Sequence, residues 1–329
     1  MGVILGVDVG ATTMGAGLVT DAGEVLYSAQ RPTRAEGAGT ALKTLLALVG
    51  DLVSEADRRR IALDGVGVGL PGPVDVARGA LSAVTQGSHF PELRGVAIAD
   101  EVERVTGLPV FVENDGNALA LAAWIFGVGR GARSLVLFAI GTEVGGGVIV
   151  DGRLVRGARG FAGELHGIQV NLDGERCFCG SRGCLGVYIG GRAIADEARR
   201  RLDAGVASSV VRVAGGRADA VTSEHVFQAA VAGDTMSRAI VDRACEALGA
   251  AIRTMIASVN PEVVVVAGGV ARSLVPLADE IRRHGGDTGL TAAFGATRIE
   301  VIGSDKSETV RGGAAAVLYH RSHGSATRA

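Results

Sequence analysis

Three of the chain's four cysteines, Cys177, Cys179 and Cys184, fall in the eight-residue stretch CFCGSRGC. Thiolates at this spacing hold soft divalent metals, and a closed zinc site takes four ligands, so three sulfurs leave one position to be filled. A second candidate is Asp115 in FVENDGN. The apolar residues before it read as a strand ending near Val112, and Asn117 reads as the N-cap of the helix that follows. That puts the Asp115 carboxylate at the carboxyl end of a strand, where α/β sheets collect their ligands; the plainer reading is a turn or capping aspartate. Glycine-rich turns follow strands at DVGATT (8–13), IGTEVGGG (140–147) and AGGV (267–270). Backbone N–H groups close on a phosphate only where glycine leaves room. Each turn alone is an ordinary tight turn, but together they fit around a single ATP between two domains. GVGLPG at 67–72 satisfies G-x-G-x-x-G literally, yet Pro71 lies inside it and no clear helix follows, which argues against a dinucleotide fold.

The elements that must carry these residues follow from the hydrophobic pattern. VILGVDV at 3–9 is apolar on both faces, as in a buried strand. MGAGLVT, the turn DAGE and VLYSA complete a three-stranded meander. Residues 39–56 place Leu42, Leu45, Leu46, Val49, Leu52 and Val53 at helical spacing. LVLFAIGTEVGGGVIVDGRLV at 135–155 then repeats the grammar of the meander. Two copies of one unit imply two related α/β domains facing each other; a chance likeness of two hairpins is the alternative. Residues 202–222, rich in Ala, Gly and Ser, read as a loop or weak helix, and 234–258 as a strong amphipathic helix stopping at Asn260-Pro261. EVVVVAGGVAR reads as a buried strand, a Gly-Gly turn and a helix start, and TRIEVIG as the last strand before a helix from about residue 308.

With 329 residues, 47% of them hydrophobic, the chain has room for two domains and a large core. A net charge of −2 gives no electrostatic reason to expect nucleic acid. No apolar run reaches the roughly 18 residues of a membrane span. Met1 leads almost directly into the first strand without a charged leader, so a cytoplasmic protein is expected. There, clustered cysteines favour metal over disulfide. The only lysines are Lys43 and Lys306, and neither follows a glycine-rich turn as a Walker-type phosphate loop requires.

DVGATT, LPGPVD, FVENDGN, GTEVGGG, GEL and CFCGSRGC occur in that order. In this the chain resembles, over nearly its whole length, the ROK family of sugar kinases and sugar-responsive repressors, within the sugar kinase/actin superfamily. Bacterial glucokinases are the relatives whose function it suggests. The resemblance implies an α/β protein of two ribonuclease H-like domains around a hinged cleft, the actin-like ATPase fold. Residues 1–115 with about 304–329 would form the smaller domain, and 116–303 the larger one with the zinc loop. The implied activity is ATP-dependent phosphorylation of a hydroxyl of a sugar or sugar-like polyol. ATP would be held by Gly10, Thr12 and Thr13, by Gly141, Thr142 and Gly145, and by Gly268 and Gly269, with Mg²⁺ bridging the phosphates near Asp8. Asp115 would be the general base, and Gly72, Asn114 and Glu164 would hold the acceptor. Cys177, Cys179 and Cys184 would hold a structural Zn²⁺. A homodimer or homotetramer is expected, with a small sugar or cyclitol as the remaining partner and neither nucleic acid nor membrane.

The sequence departs from the family pattern at four places. The fourth zinc ligand is ordinarily the histidine of G-E-x-G-H, which also touches the sugar; GELHG has Gly167 there and His166 one residue early. His166 is the candidate ligand and acceptor contact, reaching the metal through a changed loop; water filling the site and loss of zinc are the alternatives. Gly186 stands where a sugar-binding glutamate is usual. Glu143 replaces a glycine, and a carboxylate about 4 Å from a phosphate charge would cost on the order of 4 kcal/mol at an effective dielectric of about 20. It must therefore point away, bind Mg²⁺ or serve the acceptor. Ala11 and Thr13 replace the usual glycine and lysine. With Gly167 and Gly186 in place of two sugar contacts, D-glucose is expected to be a poor acceptor, and a kinase for a C7-cyclitol (carbasugar) is the alternative activity. A non-catalytic sugar sensor is the alternative from another class, although a first strand at residue 3 leaves no room before it for a DNA-binding module.

Overall fold

The computed structural model describes residues 2–82, 90–286, 291–303 and 306–323. Two five-stranded mixed sheets organise the chain. In the first, Val3–Val9, Thr13–Thr20 and Val25–Pro32 form the expected antiparallel meander, and Val66–Leu70 and Val110–Asn114 add to it in parallel. The second sheet repeats the order, with Arg153–Leu154, Val144–Val150 and Leu135–Ile140 as the meander and Val263–Ala267 and Arg298–Val301 alongside. The repeat seen in the sequence is thus a repeated sheet topology. Val3–Val9, Val66–Leu70 and Val263–Ala267 are buried at every position, which is why they read as unbroken apolar runs and not as alternating ones.

Helix Ala41–Arg58 packs through Leu45, Leu48, Val49 and Leu52 into the core of the first sheet. Helix Lys306–His323 brings Val310, Ala314 and Val317 onto Ile4 and Val19. Its approach is set by glycine. A carbon added at Gly6 would lie 1.9 Å from Val310 O, and one at Gly67 the same 1.9 Å from Gly313 O. The 25-residue helix Thr235–Val259 begins where Asp234 caps Ser237 N and ends at Asn260, which takes the left-handed conformation with φ 47°. Within 202–222 the chain completes helix Gly191–Asp203 and adds two short turns of helix, Val210–Val213 and Ala218–Ala220.

The chain divides into two compact units, one of residues 1–132, 147–163 and 305–329 and the other of 133–146 and 164–304. This division differs from a boundary at residue 115. Gly312 of the C-terminal helix lies so close to helix Asp115–Ile125 that an added carbon would stand 3.1 Å from Ala118 C, so 116–132 stays with the first unit. The other expected boundary, at 304, lies outside the described residues. No helix among the described residues is long and apolar enough to cross a membrane.

Candidate functional site

In the first unit the candidate residues gather at the carboxyl ends of three parallel strands. Asp8 pairs in register with Gly69, and Leu70 with Asn114. Asp8 is buried, and its Oδ2 accepts a hydrogen bond from Thr309 Oγ1 at 2.8 Å. The turn that follows is closed by Gly10 N donating to Thr13 O at 3.2 Å, and Thr33 Oγ1 donates to Gly10 O at 2.6 Å. Thr12 O accepts from Thr33 N at 2.9 Å.

Asp115 is the first residue of helix Asp115–Ile125, so its carboxylate sits at the positive end of the helix dipole. The N-cap is Asn114, not Asn117. The strand runs two residues past Val112, and Asn114 Oδ1 accepts from Asn117 N at 2.9 Å. Asn117 is instead turned inward, donating from Nδ2 to Glu113 Oε1 at 3.1 Å. Asn114 Nδ2 donates to Gly72 O at 3.0 Å and to Asp115 Oδ1 at 3.3 Å, and Gly116 N donates to Asp115 Oδ1 at 2.8 Å. Gly72, Asn114 and Asp115 are therefore joined by direct hydrogen bonds.

The second unit brings two glycine turns side by side. Gly141 N donates to Glu143 O at 2.9 Å and Val270 N donates to Ile140 O at 3.0 Å, so the turn at Gly268 and Gly269 abuts the one at Gly141 and Thr142. Gly268 has φ +112°, and a carbon added there would lie 2.4 Å from Ile140 O, so the approach requires glycine. Gly145 lies on the strand leaving the first turn. The Glu143 carboxylate pairs with Arg192 at 3.4 Å, which offsets a charge that the sequence left unassigned.

Glu164 and His166 form an ion pair, Oε2 to Nδ1 at 3.2 Å, and the imidazole stacks on Phe178 with ring centres 4.9 Å apart. The Glu164 carboxylate raises the His166 pKa above its ordinary value, burial opposing it. A carbon added at Gly186 would stand 3.4 Å from His166 Cβ, whereas one at Gly167 would meet open space. Gly186 and His166 are thus neighbours at ordinary contact distance.

Cys177, Cys179 and Cys184 place their Sγ atoms within 4.8 Å of one another, with Cys179 and Cys184 3.6 Å apart. Two sulfurs bound to one tetrahedral zinc at about 2.3 Å stand roughly 3.8 Å apart, so the donor set fits the ion. A turn shapes it: Cys177 N donates to Ser181 O at 2.9 Å and Gly180 N to Cys177 O at 3.0 Å. Burial pushes the Cys177 thiol up to about 12 and raises Cys184 as well. For Cys179 burial is outweighed by hydrogen bonds from the Ser181 backbone and the neighbouring thiols, which lower it. A metal that binds here displaces protons. His166 is not in the group. Among the described residues the cluster consists of the three cysteines; His166 turns its Nδ1 to Glu164, an arrangement in which Nε2 is the nitrogen a metal would take.

The ROK family pattern matches residues 4–318. The chain belongs to the ROK family. Over 273 residues it is 35% identical to the glucokinase of Thermotoga maritima, an overlap of 82% of this chain and 83% of that one. It resembles the structure of a ROK glucokinase from Streptomyces griseus in complex with glucose and AMPPNP, with a TM-score of 0.77 and 28% identity across 96% of this chain and 100% of that one. A ROK transcriptional regulator homologous to the Escherichia coli Mlc protein matches with a TM-score of 0.81 and 27% identity, across 96% of this chain and 78% of the regulator. The two mixed sheets have the actin-like ATPase fold of these ROK neighbours. Sequence reasoning gave no role to Glu113, Arg156, Arg192 or Thr309. Glu113 stood inside the motif around Asp115; the other three are far in sequence from their partners, and no local spacing marks them.

Proposed function

We propose that this ROK protein phosphorylates a hydroxyl of a hexose or similar cyclic polyol with ATP, and that Asp115 is the general base. The observation that carries the reading is the set of hydrogen bonds linking Gly72, Asn114 and Asp115 at the strand ends. Phosphoryl transfer asks the protein for alignment, charge neutralisation and a base within hydrogen-bond reach. Asn114 is pinned through Gly72 O and Asn117 N, so its amide can orient both the base and an acceptor hydroxyl. In the reaction the acceptor O–H gives its proton to the Asp115 carboxylate as its oxygen attacks the γ-phosphorus. The bond from that phosphorus to the β,γ-bridging oxygen breaks, and ADP leaves.

The glycine turns at Gly10, Thr12 and Thr13, at Gly141, Thr142 and Gly145, and at Gly268 and Gly269 are assigned to ATP by their room for backbone approach. Asp8 is the candidate carboxylate for Mg²⁺, which when bound would supply charge neutralisation to the phosphates. Cys177, Cys179 and Cys184 would hold Zn²⁺ as a structural tie for their loop. Glu164 and His166 are assigned to the acceptor, with His166 beside Gly186. With an imidazole among these groups, glucose, aminosugars and a C7-cyclitol all belong in the acceptor screen. The test is acceptor-dependent ADP formation across that panel.

A non-catalytic sugar sensor is the second reading, favoured by the likeness to the transcriptional regulator. A sensor would bind sugar in calorimetry and form no acceptor-dependent ADP.

A further inference from the structure

Glu113 is buried to 1% exposure, and Arg156 and His320 stand against it. A carboxylate at that depth must be paired and hydrogen-bonded, and a buried ion pair by itself is weak evidence of a stabilising role. The way its two oxygens are divided is more informative. Oε2 accepts from Arg156 Nε at 2.9 Å and Nη2 at 2.6 Å, with His320 Nε2 at 3.7 Å. Oε1 accepts from Asn114 N and from Asn117 Nδ2, both at 3.1 Å. One oxygen is an anchor, and the other grips residues on either side of Asp115.

Asn114 and Asn117 are the two ends of the capping hydrogen bond that opens the helix, and Asn114 Nδ2 touches Asp115 Oδ1. Arg156 is itself fixed: its guanidinium lies over the Tyr319 ring, 5.4 Å from the centroid, and Tyr319 Oη accepts from Leu154 N at 2.9 Å. Burial alone would raise the Glu113 pKa, but His320, Arg156 and Asn117 together lower it, so the carboxylate stays ionised and acts only as an acceptor. Hydrogen bonding to a two-donor arginine fork fixes a direction as well as a distance.

We infer that Glu113, held by Arg156, is a positioning residue that sets the Asp115 carboxylate for proton transfer by fixing the strand-to-helix junction around it. The inference rests on the kinase reading above and adds to it a residue with no substrate contact of its own. A group held off its productive geometry by about 1 Å can lose on the order of 100-fold in rate.

The experiment compares wild type with Glu113→Gln, Arg156→Lys and the double variant Glu113→Gln/Arg156→Met, using the best acceptor from the panel. It reads kcat per AMPPNP-binding site, KM for ATP and for acceptor, and Tm. Glu113→Gln is expected to lower kcat about 10- to 100-fold with KM for ATP within about twofold. Arg156→Lys, which keeps the charge and loses the fork, should fall between. The double variant leaves no unpaired buried charge, so it should recover Tm without recovering kcat, and it keeps the test decisive if Glu113→Gln fails to fold. A double variant with more than about half of wild-type kcat per binding site would reduce Glu113 to a packing role and overturn the inference. Active wild type with unaffected variants defeats this inference alone, whereas a wild type that forms no ADP with any acceptor defeats the kinase reading and this inference with it.

Discussion

The histidine of GELHG stands one residue earlier than the family pattern places it. His166 pairs with Glu164 and stacks on Phe178. Among the described residues the clustered metal-binding side chains are Cys177, Cys179 and Cys184. His166→Ala should therefore keep one zinc per chain by elemental analysis, while Cys179→Ser should lose it. The same His166→Ala should raise KM for the acceptor about tenfold or more, the worth of a hydrogen bond to a charged group. Zinc lost from His166→Ala would return the histidine to the metal. From sequence alone the three thiols were legible because they lie close along the chain. Where His166 points was not, since its ring rests on Phe178, twelve positions away.

At the level of the elements, the meanders and the long helix could be read directly, because buried strands give apolar runs and Asp234 and Asn260 bracket one helical pattern. The junction at Asp115 misled because Asn114 and Asn117 are both good caps, and the choice between them follows from how far the strand pairs with Val66–Leu70. Tertiary contact also explains the glycines in the strands. Gly67→Ala should push a methyl into Gly313 O and lower stability by about 1–3 kcal/mol, read as a fall in the urea midpoint. An unchanged midpoint would mean the helix shifts freely. Asp234 offers a pH test. Burial raises its pKa, but Ser237 N at 2.8 Å, Ser209 N at 2.6 Å and Ser208 Oγ at 2.8 Å hold it well below the carboxylate range. A carboxylate depressed in the folded state stabilises above its unfolded pKa of about 3.9 and loses that contribution as pH falls toward the folded value. Asp234→Ala should cost about 1 kcal/mol at pH 7, with the gap to wild type closing below about pH 4. A gap that stays constant to pH 2 would remove the charge from the explanation.

Across the whole molecule, the repeated sheet order places one set of strand ends in each unit, with Asp8, Gly72, Asn114 and Asp115 in the first and the glycine turns near Gly141 and Gly268 in the second. The repeat and the motif order were legible because both run along the chain; the Glu113–Arg156 pair, 43 residues apart, was not. Zinc should matter locally: chelation should expose the loop around Cys177–Cys184 to proteolysis while the described core helices stay resistant. Cleavage spreading through both units at the same rate would make the metal a global element. The central claim is phosphoryl transfer with Asp115 as base, and its most direct test is kcat for acceptor-dependent ADP formation by wild type and Asp115→Asn, with AMPPNP affinity measured alongside. The expected result is turnover in wild type, unchanged AMPPNP affinity, and a kcat lower by about 10²–10⁴-fold in the variant. Near-full turnover by Asp115→Asn, or none by wild type with any sugar or cyclitol, would contradict it.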